Sequence, residues 1–150
     1  MCNFKCNCCL PDGYAIDTDF LTLPEIKILI NGFVFLGTSK ISITGGEPFL
    51  KKDLPDIIKA YSSARGVKHV AMTCNGYKLE ANIQKWVSTE FCSLDIITDG
   101  LKPRMFAVII GHIIINTILR GIDKTLALGV KVTINAVLVN QYNKQKLQVS

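Results

Sequence analysis

The 150-residue chain has few charged residues and no run of five or more charges of one sign. Charged residues make up 19% of the sequence, and 17 Lys and Arg against 12 Asp and Glu give a net charge of +5. Without a basic tail to contact phosphates, no nucleic-acid partner is expected. The hydrophobic fraction of 49% excludes intrinsic disorder. We expect one domain over residues 1–150, because domains commonly have about 100 to 200 residues.

The sequence also lacks a hydrophobic run long enough to cross a membrane. The most apolar segment, Met105 to Ile115, is interrupted by Gly111 and His112. It falls well short of the roughly 20 residues of a spanning helix, so we expect it to be buried in the protein. No apolar segment of a secretory leader follows Met1. The expectation is a cytoplasmic protein with no membrane partner.

Helical and strand patterns alternate along the rest of the chain. Thr22 and Glu25 have capping-box spacing before an apolar helical pattern that ends at Gly37, and Asp53 is predicted to cap a second helix. Strands are predicted at 40–44, 67–73, 93–98 and 130–139, further helices at about 79–88 and 114–128, and a last helix after Asn143. This alternation predicts an α/β fold with a parallel sheet covered on both faces.

Glycine-rich and polar segments follow three of the predicted strands. Gly45 to Glu47 follows the first strand, Asn75 and Gly76 follow the second, and Asp99 follows the third. Active sites of parallel α/β folds are built at the carboxyl ends of the strands. We therefore expect these segments to share one functional edge of the sheet.

Four of the six cysteines, Cys2, Cys6, Cys8 and Cys9, lie within the first nine residues. They are too close together for separate disulfides that would staple a fold, so metal binding is favoured. Cys2, Cys6 and Cys9 can hold three corners of a cubane iron–sulfur cluster and leave the fourth iron open. A zinc site completed by Cys8 or a distant residue, and incidental thiols, remain alternatives.

The other cysteines and the two histidines suggest no function. Cys74 and Cys92 lie in or beside apolar segments and are predicted to be small core residues. His69 lies in a predicted strand and His112 in an apolar run, and neither has a partner that the sequence reveals.

The cysteine segment resembles the cluster motif of the radical S-adenosylmethionine (SAM) enzymes. A resemblance to the GTP 3',8-cyclase family of molybdenum cofactor biosynthesis extends over almost the whole chain. The matching segments are 2–6, 9–14, 20–26, 43–48, 73–77, 121–123 and 134–137. The order and spacing of these segments, rather than any one of them, make the resemblance specific.

The resemblance implies a partial (βα)6 radical SAM barrel with a [4Fe-4S] cluster on Cys2, Cys6 and Cys9. In that family the cluster reduces SAM, and the resulting 5'-deoxyadenosyl radical takes a hydrogen from GTP. The enzyme is a lyase whose product is (8S)-3',8-cyclo-7,8-dihydroguanosine 5'-triphosphate. The implied partners are GTP and an electron donor. The resemblance also leads us to expect that two copies of the chain form a homodimer.

The resemblance also implies roles for three residues outside the cluster ligands. Gly46 would contact the methionine part of SAM through its backbone, where a side chain would obstruct close approach. Cys8 occupies the position beside the adenine of SAM. Thr73 matches the family's GTP-contacting threonine.

Several family positions hold other residue types here. Ser42 and Thr133 replace an arginine and a lysine that face the triphosphate, and each lost contact is worth about 1.5–3 kcal/mol. Ile97 replaces a SAM-contacting serine, and Cys8 replaces an aromatic residue. The family's first strand, with its arginine, and its carboxyl-terminal cysteines are expected to be missing, since no cysteine follows Cys92. We therefore expect impaired or absent activity, with a non-catalytic zinc- or iron–sulfur-binding remnant as the alternative.

Overall fold

Parallel strands alternate with helices in the computed structural model, which describes residues 2–4, 21–89, 91–98 and 114–136. The elements among these residues, in chain order, are α1 (Leu23–Phe35), β1 (Lys40–Ile43), a 3-10 turn (Pro48–Leu50), α2 (Leu54–Ser62), β2 (His69–Cys74), α3 (Leu79–Val87), β3 (Ser93–Ile97), α4 (Ile115–Ala127) and β4 (Lys131–Asn135). The predicted α/β alternation is confirmed.

The four strands form one sheet in the order β1-β2-β3-β4, and each neighbouring pair is parallel. The register places Thr73 of β2 opposite Asp95 of β3, and Asp95 opposite Thr133 of β4. Because the strands are parallel and neighbours in sequence are neighbours in space, their carboxyl ends lie along one edge.

The two predicted helix caps have different outcomes. The Glu25 carboxylate accepts hydrogen bonds from the backbone N–H and the hydroxyl of Thr22, both at 2.7 Å. Glu25 therefore forms the predicted capping contact with Thr22 at the start of α1. Asp53 precedes α2, but its side chain makes no capping hydrogen bond. Its carboxylate instead lies 3.1 Å from Nζ of Lys51, so the prediction of a side-chain cap was wrong.

The helices of the described chain pack on one face of the sheet. Alternate residues of β2 and β3 point into the main hydrophobic core, where they meet α3 and α4. The side chains of Val70, Met72, Cys74, Leu94 and Ile96 are at most 2% exposed. A second cluster of Ile26, Ile30 and Ile57 joins α1 to α2.

Two predictions about buried residues were tested by this core. Cys74 is buried, as predicted, and burial raises the pKa of its thiol above the ordinary range, with the nearby Glu47 charge adding to the effect. Cys92 is exposed, so its prediction as a core residue was wrong. Its neighbours Phe91 and Ser93 are buried, and Cys92 lies between them with its side chain outward.

The opposite face of the sheet carries mostly polar side chains, and we call it the polar face. Its alternate strand residues include Ser42, Thr73, Ser93, Asp95, Ile97 and Thr133, together with Ala71, Lys131 and Asn135. Most of these are exposed or half-buried, and within the described residues no helix covers them. The described helices cover one face of the sheet, and any cover of the other face, as predicted, would have to come from residues outside the described ranges.

Several expectations fall on residues outside the described ranges. They concern Cys6, Cys8, Cys9, Asp99, His112, the apolar segment 105–113, the end of the fourth predicted strand at 137–139 and the helix after Asn143. No helix within the described ranges is long and apolar enough to span a bilayer.

Candidate functional site

The amino-terminal cysteine segment meets the sheet at the carboxyl end of β2. Nδ2 of Asn75 donates a hydrogen bond to Oδ1 of Asn3 at 2.8 Å and lies 3.9 Å from Sγ of Cys2. Oδ1 of Asn75 accepts a hydrogen bond from the backbone N–H of Tyr77 at 3.0 Å. The Asn75 side chain therefore holds both its own turn and the segment that contains Cys2. The sequence had indicated only a turn at this position.

Glu47 connects the ends of β1 and β2. Its carboxylate accepts a hydrogen bond from the backbone N–H of Phe49 at 3.1 Å and another from that of Asn75 at 2.8 Å. The side chain is only 5% exposed. Burial raises the pKa of Glu47, while the two N–H donors and the positive charge of Lys78 oppose this change. Glu47 thus fixes the glycine turn relative to the cysteine segment.

This positioning role of Glu47 was missed in the sequence, although a signal was present. The carboxylate follows two glycines directly at the end of a predicted strand. Buried carboxylates in such turns are held by hydrogen bonds, because a charge without partners is costly to bury. The identity of the partner, 28 residues further along the chain, could not be read from spacing.

Gly46 is half-buried and lies in the turn that Glu47 holds. Together with Thr44, Lys51 and neighbouring residues it lines a cavity of about 390 Å³. The backbone of this turn is therefore accessible to a small molecule, as the predicted contact with the methionine part of SAM requires.

The turn after β2 depends on Gly76. Its φ of +77° lies in the left-handed region, and a Cβ added there would come within 2.8 Å of Cγ2 of Ile118. Helix α4 therefore packs directly beneath the Asn75–Tyr77 turn. A glycine is required both by the backbone and by this close approach.

The polar face gathers four residues that the family resemblance had assigned to substrate or SAM positions. Thr73 is half-buried, Ser42 and Thr133 are exposed, and all three belong to strands of the same sheet. Ile97, at the end of β3, is 45% exposed on this face. The substitutions at Ser42, Ile97 and Thr133 therefore change one continuous surface rather than scattered positions.

His69 has a partner that the sequence did not reveal. Its Nε2 lies 3.0 Å from Oγ of Ser93, across the β2–β3 pair. The pair lies near the amino ends of these strands, away from the Cys2–Asn75 contact. It joins two neighbouring strands and is separated from the candidate site.

Of the predicted cluster ligands, Cys2 is described, and Cys6 and Cys9 lie outside the described residues. Among the described residues, no group of three or more His, Cys, Asp or Glu side chains could hold a metal. A metal site at Cys2 therefore needs further ligands from elsewhere in the chain. Cys2 itself suits an iron–sulfur cluster, since it is a free, half-buried thiol at the same edge as Gly46.

Comparisons with known proteins agree on one family. The sequence model of the Radical SAM superfamily matches residues 1–149. The GTP 3',8-cyclase of Haemophilus ducreyi is 45% identical to this chain, and that of Vibrio atlanticus is 43% identical. Each alignment covers 98% of this chain but only 44% and 46% of the two relatives. The chain thus spans less than half the length of these relatives.

A solved structure shares the fold. It is described as native anSMEcpe with bound AdoMet and Kp18Cys peptide, and it superposes with a TM-score of 0.72. The match covers 97% of this chain and 46% of the other, at 15% sequence identity. The sheet and its helices therefore correspond to part of a radical SAM barrel, as predicted.

Proposed function

Because this chain belongs to the radical SAM superfamily, we propose that it holds a [4Fe-4S] cluster through Cys2, Cys6 and Cys9. The observation that supports this most directly is the contact between Cys2 and Asn75, which brings a predicted ligand to the carboxyl edge of the sheet. Glu47 connects the same Asn75 to the Gly46 turn. Cysteine thiolates are the donors that iron–sulfur clusters require.

We propose that SAM binds beside this cluster, along the Gly46 turn. The cluster and SAM, when bound, supply one-electron reductive cleavage of a carbon–sulfur bond. The backbone of Gly46 orients the methionine part, and Glu47 keeps that turn in place through its two N–H contacts. Cys8 is the residue beside the adenine. Residues 1–150 act as one radical SAM core domain in the cytoplasm.

For the substrate we propose GTP, contacted by Thr73 on the polar face, in a cyclase reaction of the lyase class. The support is the identity to GTP 3',8-cyclases, at 45% and 43%. We also propose that this activity is impaired. Ser42 and Thr133 provide no positive charge for a triphosphate, and the exposed side chain of Ile97 cannot form a hydrogen bond with SAM.

Anaerobic reconstitution with iron and sulfide tests the cluster. We expect a brown, oxygen-sensitive protein with about four irons per chain. Cys2→Ala should lower the iron content, whereas Cys92→Ala, at an exposed cysteine outside the site, is the matched control and should not. A colourless protein that retains one zinc per chain would contradict the proposal.

Release of 5'-deoxyadenosine from SAM, measured with and without GTP, tests the chemistry. We expect little or no release from the natural sequence. The triple variant Ser42→Arg, Ile97→Ser, Thr133→Lys should release more, because it restores two charges and a hydroxyl on the polar face. Robust GTP-dependent release by the natural sequence would show that these substitutions do not impair the enzyme.

A second candidate function is a non-catalytic metal site, with zinc or an iron–sulfur centre, in which Cys8 completes a closed set with Cys2, Cys6 and Cys9. The exposed side chain of Ile97 favours this candidate, because an apolar side chain on the polar face cannot form a hydrogen bond with SAM. Cys8→Ala should then weaken metal binding as much as Cys6→Ala. Metal binding by Cys8→Ala equal to that of the natural sequence would exclude this candidate.

A further inference from the structure

Asp95 is the only acidic residue among the described strand residues of the polar face. It lies in the middle of β3 and is half-buried, whereas its neighbours Leu94 and Ile96 are fully buried in the core. Strand pairing places Thr73 on one side of it and Thr133 on the other. We call these three residues the central row. Because neighbouring strands lie about 4.8 Å apart, two hydroxyls flank the carboxylate across the sheet.

The carboxylate of Asp95 is not neutralised within the part of the chain that the structure describes. Neither of the two ion pairs formed there includes it. Lys131 belongs to the same face but pairs with Ser93, one residue pair nearer the amino ends of the strands. Burial raises the pKa of the Cys74 thiol, and the charges of Glu47 and Asp95 add to this effect. The Asp95 carboxylate therefore offers negative charge and free acceptor atoms to a ligand on the polar face.

The position of Asp95 along β3 limits which part of a nucleotide can reach it. Under the proposed function the ribose lies beside SAM at the carboxyl edge, where β3 ends at Ile97. Asp95 precedes this end by two residues, or about 7 Å at a rise of about 3.3 Å per residue. The central row is therefore within reach of the base or of the phosphates. Phosphates are excluded, because a carboxylate repels them and the two hydroxyls of the row carry no positive charge.

The polar groups of the central row are complementary to guanine. The edge of guanine presents two adjacent donors, N1–H and the N2 amino group, followed by the acceptor O6. An ionised carboxylate only accepts, and its two oxygens can take two parallel N–H donors, as they do from arginine. A threonine hydroxyl beside it can donate to O6. Adenine presents the acceptor N1 in the corresponding place, which the carboxylate would repel.

The side chain of Ile97 provides an apolar surface for the same base. It follows Asp95 by two residues on the same face of β3 and is 45% exposed. A purine ring held at the central row would cover part of this side chain. Removal of apolar surface from water favours the bound state.

We propose that the carboxylate of Asp95 accepts hydrogen bonds from N1–H and the N2 amino group of guanine and so determines the base specificity of the polar face, an inference that rests on the proposed function. A hydroxyl of the central row donates to O6. Asp95 is a binding residue and takes no part in the radical chemistry. Its effect is a difference in affinity between bases.

Nucleotide binding tests this specificity without any requirement for activity. The full chain, reconstituted anaerobically, is titrated by isothermal calorimetry with GTP, ITP and XTP at mildly acidic pH, where the xanthine base is neutral. The ribose and triphosphate are common to the three probes and cancel in the ratios of their dissociation constants. ITP lacks the N2 amino group and should bind the natural sequence about tenfold more weakly than GTP.

Asp95→Asn should reverse the preference of the site. The amide of asparagine still accepts from N1–H, but its NH2 group donates and therefore suits the carbonyl that xanthine has at C2. The ratio of GTP to XTP affinity should fall about a hundredfold, from about tenfold effects on each nucleotide. Such a gain of XTP affinity cannot result from misfolding. Asp123→Asn makes the same charge change at an exposed position of α4, and the ratio should stay within about twofold.

The outcomes separate this inference from the proposed function. Equal weakening of all three nucleotides in Asp95→Asn would assign the contact to the ribose and overturn the inference. Equal binding of GTP and ITP by the natural sequence, or an unchanged GTP to XTP ratio in Asp95→Asn, would also overturn it and leave GTP as the substrate. If none of the three nucleotides binds the natural sequence, both the inference and the GTP substrate are rejected. A chain that binds GTP but incorporates no iron would reject the cluster alone.

Discussion

The carboxylate of Glu47 accepts a hydrogen bond of 2.8 Å from the backbone N–H of Asn75, and this bond joins two loops at the carboxyl edge of the sheet. The first loop contains Gly46, and the second holds the segment of Cys2. One buried carboxylate therefore sets the relative position of the residues proposed to contact SAM and the cluster. Its contribution can be measured as stability and as the pH dependence of stability.

Glu47→Ala should destabilise the fold. Removal of the carboxylate leaves the N–H groups of Phe49 and Asn75 without their buried acceptor. Each buried group left without a partner costs about 1–3 kcal/mol. Urea unfolding followed by circular dichroism measures the free energy of unfolding. Glu25→Ala is the control, because Glu25 accepts its bonds at an exposed helix start and should cost about 1 kcal/mol. A loss at Glu47 no greater than at Glu25 would contradict the buried linkage.

The buried carboxylate should also make stability depend on pH. Burial raises the pKa of Glu47 in the folded chain above its usual 4.5. Between these two pKa values the folded chain holds the proton more tightly than the unfolded chain does, so the free energy of unfolding falls as pH rises. The contribution of Glu47 is complete below pH 4.5 and is lost as pH passes the raised value.

Glu47→Gln isolates this pH effect, since an amide does not titrate. The difference in the free energy of unfolding between the natural sequence and Glu47→Gln should be most favourable to the natural sequence below pH 4.5 and should decline above it. Urea titrations at several pH values between about 4 and 8 measure the difference. A difference that grows with pH would mean that the N–H donors outweigh burial.

Asn75→Ala should reduce iron incorporation. The variant loses the hydrogen bond to Asn3 and the contact with Cys2 that hold the cysteine segment against β2. We expect less iron per chain after reconstitution, measured by a colorimetric iron assay. Asn82→Ala is the matched control, because Asn82 donates to the carbonyl of Lys78 at the start of α3 and does not contact that segment. Equal iron content in the two variants would contradict the proposal that Asn75 positions the cysteine segment.

Gly121→Ala should destabilise the contact between α3 and α4. A Cβ at position 121 would lie 2.9 Å from the backbone nitrogen of Glu80 and 2.9 Å from Cβ of Leu79. The backbone of α3 can yield to the added Cβ only if the whole helix shifts. We therefore expect a loss of about 1–3 kcal/mol in the free energy of unfolding. Gly32→Ala is the control, since Gly32 lies in α1 and, apart from the backbone of its own helix and its chain neighbours, no atom lies within 4 Å of an added Cβ. It should stabilise the fold by about 0.5–1 kcal/mol. Equal effects of the two substitutions would refute the close packing.

Much of the fold was predictable because it depends on local spacing. The segments in which apolar and polar residues alternate form the strands, and Thr22 and Glu25 form the predicted capping contact at the start of α1. Asp53 shows the limit of such reasoning. The residue precedes α2 as predicted, yet Lys51 lies within 3.1 Å and takes its carboxylate as an ion-pair partner. Cys92 was placed wrongly because residues at the edge of an apolar segment can face either side.

The candidate site was predictable in composition and not in its contacts. The glycine turn, Asn75 and the cysteine segment could be recognised as separate motifs in the sequence. The hydrogen bonds of Asn75 to Asn3 and to Glu47 join residues that lie 72 and 28 positions apart. Such distances depend on how the strands pair, so residue spacing along the chain contains no information about them.

The sequence by itself determined the family, the order of strands and helices, and the residue types available for a metal and a nucleotide, because these follow from motifs and from local periodicity. Tertiary structure alone decided that Glu47 is buried between two loops and that Ser42, Ile97 and Thr133 share one face. It also decided that the ring of Tyr77, just after β2, packs against Phe4 of the cysteine segment. The physical reason is that parallel pairing brings distant strand ends to one edge, where burial and hydrogen bonds then act between them.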